Sequence, residues 1–307
     1  LLGQSDWRVP GPDEMAAFRG QVVGMTSMAA RRDLIARLLD LASVREAELA
    51  ELGPLQASDG ASVVDILLAA EVASEAGGTG NAPIAPQLKL AEYFLDSGDH
   101  AAAERRLANV IARTATSSGL PAPTLEDERA RAFYLRSRAD AMRLGNGVSE
   151  NGVRWAEEAV KLEGSRPEYR TQACLAHILR GGEAVTEPGS ESWCSGSSGP
   201  EGHLLRGMFY LRYAQYAPSG AGLRDTAQFA FNQGLDDLDM SADPDATPRF
   251  GWPTVSRTPP SLRTLLTYGR AKAISCGGVS TTVDLPGSEI ARAEDFFQDY
   301  RVASCTR

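Results

Sequence analysis

Residues 88–110 read LKLAEYFLDSGDHAAAERRLANV, and this stretch decides the fold. Leu90, Ala91 and Phe94 recur at helical spacing, Gly98 marks a turn, and Ala103, Leu107 and Val110 follow at i, i+4 and i+7. Side chains at that spacing share one helix face. Ala103 is small, so a partner helix can approach closely there. The stretch predicts two helices packed as an antiparallel pair.

The pattern returns further along. Gly207 and Tyr210 precede Ala227, Phe231 and Gly234, and Gly152, Ala156 and Ala159 repeat the small-residue spacing after a helical run over Leu125–Leu144. On the N-terminal side, Asp13 can cap a helix through Phe18 and Val22. Arg31–Leu52 carries Leu34, Leu38, Leu41 and Leu49 on an apolar stripe, and Ser62–Ala76 closes at Gly77-Gly78. On the C-terminal side, helical patterns cover Glu168–Leu179, Leu204–Tyr216, Leu223–Leu238, Ser261–Ser275 and Ser288–Ala303. Gly181–Gly202 and the proline-rich Asp239–Pro260 read as two long loops, and Val279–Leu285 is the single strand candidate. The expected fold is all-α, an irregular alpha–alpha solenoid of antiparallel helix pairs. Its expected divisions are N-terminal helices over 1–85, helical repeats over 86–240, and C-terminal helices over 241–307 packed on the same array.

The net charge of -9 argues against nucleic acid as the main partner, because phosphate binding needs a basic stripe. No apolar run reaches the ~20 residues needed to span a bilayer. A chain opening on Leu1-Leu2-Gly3 reads as one whose leader has been removed, or as part of a longer chain. Four cysteines permit three complete pairings. Cys174–Cys194 and Cys276–Cys305 is the pairing that joins each helical segment to the segment after it. Disulfides persist in oxidising compartments, so the expected location is the periplasm or cell surface. The alternative is four reduced cysteines in a cytoplasmic protein.

The residues that carry chemistry elsewhere do not assemble into a motif. His100, His177 and His203 are scattered. Cys174 and His177 stand at metal-ligand spacing, but two ligands do not close a zinc site. Ser195–Pro200 lacks the strand–turn–helix setting of a hydrolase nucleophile, and Gly77–Gly80 follows a helix where phosphate-binding loops follow a strand. Asp237, Asp239, Ser241, Asp243 and Asp245 alternate as in a calcium loop, but Ala242 and Pro248 replace its glycine and closing glutamate. The reading is a non-enzyme without cofactor or metal.

The helix pairs resemble the tetratricopeptide repeat family through Ala91, Phe94, Gly98, Ala103 and Leu107, and again through Gly207, Tyr210, Ala227 and Phe231. The spacing drifts from that family's period of about 34 residues, and its tryptophan and closing proline are missing from the first copy. The resemblance implies a concave groove faced by Glu92, Asp96 and Arg212, taking an extended peptide or a helix of another protein. Phe250 and Trp252, with Trp193, lie in the long loops, where aromatic side chains either anchor a partner or fold back on the core. The expected function is a non-enzymatic protein–protein interaction or scaffold protein, exported into a bacterial cell-envelope or surface assembly. The alternative is a helical small-molecule or glycan-binding protein at the cell surface.

Overall fold

The computed structural model describes residues 12–25, 27–51, 63, 66–72, 84–96, 98–115, 125–145, 147–195, 199–217, 221–241, 243, 245–248, 250, 258–276 and 282–302. Among these residues the protein is all-α, with no strand. Contacts divide the chain into two compact units, 1–132 and 133–307.

The first unit holds α1 (Pro12–Gly24), α2 (Met28–Glu51), a helical stretch over 66–72, α3 (Ala85–Asp96) and α4 (His100–Arg113), with the start of α5 (Glu126–Arg143). Its core joins Phe18 and Val22 of α1, Ile35 and Leu38 of α2, Ile66 and Ala70, and Leu90 of α3. Helices α3 and α4 form the expected pair. Gly98 turns the chain at φ 83°, which a residue with a Cβ resists. Asp99 then caps α4, its carboxylate accepting the Ala102 N–H at 2.9 Å. Ala103, Leu107 and Val110 are fully buried, as their spacing requires.

The second unit holds the rest of α5, then α6 (Glu150–Leu162), α7 (Pro167–Arg180), α8 (Glu183–Thr186), α9 (Ser192–Ser195), α10 (Gly199–Ala214), α11 (Ala221–Asp239), α12 (Leu262–Cys276) and α13 (Gly287–Asp299). Helix α6 packs on α7; α10 packs on α7, α11 and α12; and α13 packs on α12. The buried Phe231 ring of α11 fills the space left by two glycines. A Cβ on Gly207 of α10 would land on that ring, and one on Gly269 of α12 would come within 2.6 Å of it. Gly207, noted in the sequence, and Gly269 thus set how closely three helices approach.

Two features differ from the sequence reading. The chain does not divide at 85/86, because Leu90 is buried in the same core as Phe18 and Leu38, with Phe94 packed against it. Helix α12 packs directly on α11 and α10, which joins the C-terminal helices to the second unit. Gly181–Gly202 is not a long loop: it contains α8, α9 and the start of α10, and it buries Val185, Ser190 and Cys194. Gly181, Gly182 and Gly189 turn the chain between short helices, so composition alone misreads it.

Candidate functional site

The second unit carries a cleft of about 520 Å³ beside the junction of α7 and α8. Glu150, Arg154 and Glu157 reach it from α6, Arg180 from the end of α7, Glu183 and Glu187 from α8 and the residue after it, and Tyr216 from beyond α10. Gly181 and Gly182 make the α7–α8 turn at φ 63° and 58°. A side chain at Gly181 would collide with Arg212 and Tyr216, so glycine is required there twice over.

His177 is buried at the base of this cleft. Its Nδ1 lies 2.6 Å from the Ala184 carbonyl and its Nε2 lies 3.1 Å from Glu157 Oε1. Glu157 is held below its ordinary carboxylate value by the hydrogen bond from His177, against the opposing effect of burial. The ring of Trp193 stacks near that of His177, with centroids 6.2 Å apart. One turn earlier on α7, Cys174 is bonded to Cys194 of α9 with Cα atoms 4.8 Å apart, and both cysteines are buried. The disulfide and the His177 contacts therefore fix segment 183–194, and with it one wall of the cleft. Cys174 spends its sulfur in that bond and is no metal ligand. Among the described residues no cluster of three metal-ligating side chains forms.

The cleft carries an excess of negative charge, with four glutamates against two arginines. Arg154 pairs with Glu150 on the same helix. Glu183 and Glu187 have no cation partner among the described residues. Both ring nitrogens of His177 are engaged, Nδ1 by the Ala184 carbonyl and Nε2 by Glu157.

The residues singled out from the sequence do not gather here. Glu92 and Asp96 lie on α3 in the first unit, where Glu92 pairs with Arg131 and Lys89 and Asp96 is exposed. Arg212 is not a groove residue: it is 8% exposed and holds the second unit together. It donates to the Ile178 carbonyl at 3.2 Å, to Gln215 at 2.6 Å and to the Arg301 carbonyl at 2.8 Å. Burial pushes its guanidinium below its ordinary value, and the carbonyl end of α7 supplies the compensating partial charge. Phe250 folds back, with its ring against Phe296 and Tyr300 at 6.2 and 5.8 Å. Cys276 is disulfide-bonded, whereas Trp252 and Cys305 lie outside the described residues.

Sequence reasoning missed Glu157, Glu183 and Glu187. Glu157 and His177 stand twenty residues apart on neighbouring helices, and no local motif announces such a pair. The one usable signal was the Cys174–Cys194 pairing, which draws segment 183–194 onto α7. No protein-family model, no curated protein and no solved structure matches this chain.

Proposed function

We propose that the protein is a non-enzymatic interaction protein that holds an extended, basic segment of another protein in the cleft between α6, α7 and α8. The observation that carries this reading is the cleft's unneutralised acidity, with Glu183 and Glu187 at its rim and Glu157 ionised at its base. A chain with a net charge of -9 adds long-range attraction for a basic partner. Paired helices with small-residue contacts, in the manner of tetratricopeptide repeats, supply a rigid support for such a surface. The buried Cys174–Cys194 disulfide favours an exported protein working in the periplasm or at the cell surface. Among the described residues no helix is long and apolar enough to cross a membrane.

A peptide library displayed on phage and panned against the full chain tests the reading. It should enrich segments bearing Lys and Arg, whose binding weakens with salt and with Glu183→Gln combined with Glu187→Gln. A library that enriches nothing reproducible, or enriches acidic segments, removes it.

A further inference from the structure

A second cleft, of about 340 Å³, opens elsewhere in the same unit, within the size range of small-ligand sites. Tyr134 and Arg138 of α5, Thr171 and Gln172 of α7, Glu201 of α10 and Phe250 line it. Gln172 is 8% exposed, and its Nε2 donates to Ser137 Oγ at 3.0 Å. No other hydrogen bond to the Gln172 side chain exists among the described residues, so its amide oxygen has no protein partner at the cleft wall. That oxygen reaches solvent, so a ligand hydroxyl can take the place of water there.

The surrounding groups narrow the ligand. Tyr134 is packed against Tyr169 with centroids 5.0 Å apart, and Phe250 against Tyr300, so both rings are held in place. Glu201 is fixed by the Phe250 N–H, which donates to its Oε1 at 3.1 Å. Arg138 lies over the Tyr134 ring at 5.8 Å and forms no ion pair among the described residues. Arg138 is set against Glu168 and Glu201, so the cleft has no positive excess to draw phosphate or carboxylate. Two aromatic rings, Tyr134 and Phe250, line the cleft beside a mixed set of donors and acceptors: an amide, a hydroxyl, a guanidinium and a carboxylate. That set complements a molecule with apolar C–H faces and an edge of hydroxyls, each both donor and acceptor.

We propose that this cleft binds a neutral pyranose sugar, its hydroxyl edge meeting Gln172, Thr171, Glu201 and Arg138 and its C–H face meeting the rings of Tyr134 and Phe250. The site is separate from the acidic cleft and stands whether or not that cleft takes a peptide.

Saturation-transfer NMR and calorimetry on the full chain test it, using methyl β-glucopyranoside, N-acetylglucosamine and cellobiose, with inositol as a polyol that lacks the pyranose ring. At least one pyranoside should bind saturably. Its affinity should fall by at least about tenfold in Gln172→Leu, the loss of a hydrogen bond left unmade. Thr171→Val, at a half-buried position, should weaken it in the same direction and keeps the test decisive if Gln172→Leu unfolds. Glu183→Gln in the other cleft should leave it unchanged. No saturable binding at millimolar pyranoside, equal binding of inositol, or binding that survives the cleft substitutions overturns the proposal.

Discussion

His177 Nε2 lies 3.1 Å from Glu157 Oε1, and through this contact one buried ring connects α6 to α7 while its other nitrogen reaches α8. Both partners of the ring are acceptors, a carboxylate and a carbonyl. The hydrogen bond between His177 and Glu157 favours the ionised carboxylate, and that contact explains why the carboxyl is held low.

Stability should depend on Glu157 in a defined direction. Its folded-state value lies below the ordinary 4.5, so its contribution is complete above that pH and is lost as pH falls through the folded value. Glu157→Gln should therefore be less stable than the parent near pH 6, with the gap narrowing below pH 4.5. Urea unfolding of both proteins between pH 6 and pH 3 reads this directly. A gap that widens on acidification would contradict it.

The disulfide makes a second prediction. Cys174–Cys194 closes a loop with a sequence separation of 20 residues, and chain-entropy reasoning puts its contribution at about 3 kcal/mol. Cys174→Ala combined with Cys194→Ala should lose about that much in equilibrium unfolding. Because segment 183–194 carries Glu183, Ala184 and Trp193, the same variant should also change Trp193 fluorescence and weaken peptide binding at the acidic cleft. Unchanged fluorescence would mean that the helical contacts alone hold the segment.

The fold was far more legible in the sequence than the site. Ala103, Leu107 and Val110 announce their buried face because a helix repeats locally, and Gly98 and Asp99 announce the turn by their own chemistry. Arg212 shows the limit. Helical spacing places it on α10, but only tertiary packing brings the Ile178 and Arg301 carbonyls to it. An arginine satisfied by carbonyls 34 and 89 residues away looks, in the sequence, like any solvent-facing arginine. The clefts are hidden for the same reason, since each collects residues from several helices whose packing no short window encodes.

The glycines around Phe231 predict a packing defect when filled. A methyl group at Gly207 would strike the Phe231 ring, so Gly207→Ala should destabilise by about 1–3 kcal/mol, although alanine is the better helix former. Adding Phe231→Leu to Gly207→Ala should recover part of the loss, while Phe231→Leu alone should be destabilising. A double-mutant cycle by chemical unfolding isolates that coupling. Additive losses would show that the ring moves aside without cost.

Lysine chemistry supplies the last prediction. The chain has three lysines, Lys89, Lys161 and Lys272, and the structure treats two of them in opposite ways. Burial holds Lys272 below its ordinary value of 10.5, with Glu294 opposing the shift and its ammonium 5.6 Å from the Tyr268 ring centre. The hydrogen bond to Glu158 raises Lys161 above the same value. Only the neutral amine is nucleophilic, so as pH rises the reactive form appears at Lys272 before it appears at Lys161. Tyr268, raised to about 12 by burial, stays protonated across the range and does not compete for the reagent. Acetylation of the folded protein with a small anhydride between pH 7 and pH 11, followed by peptide mass spectrometry, should give a lower half-reaction pH for Lys272 than for Lys161. The order should collapse in urea, where burial and the Glu158 contact are both gone. A Lys161 that reacts at the lower pH in the folded protein would show that Lys272 keeps its amine fully hydrated, contrary to its position on α12.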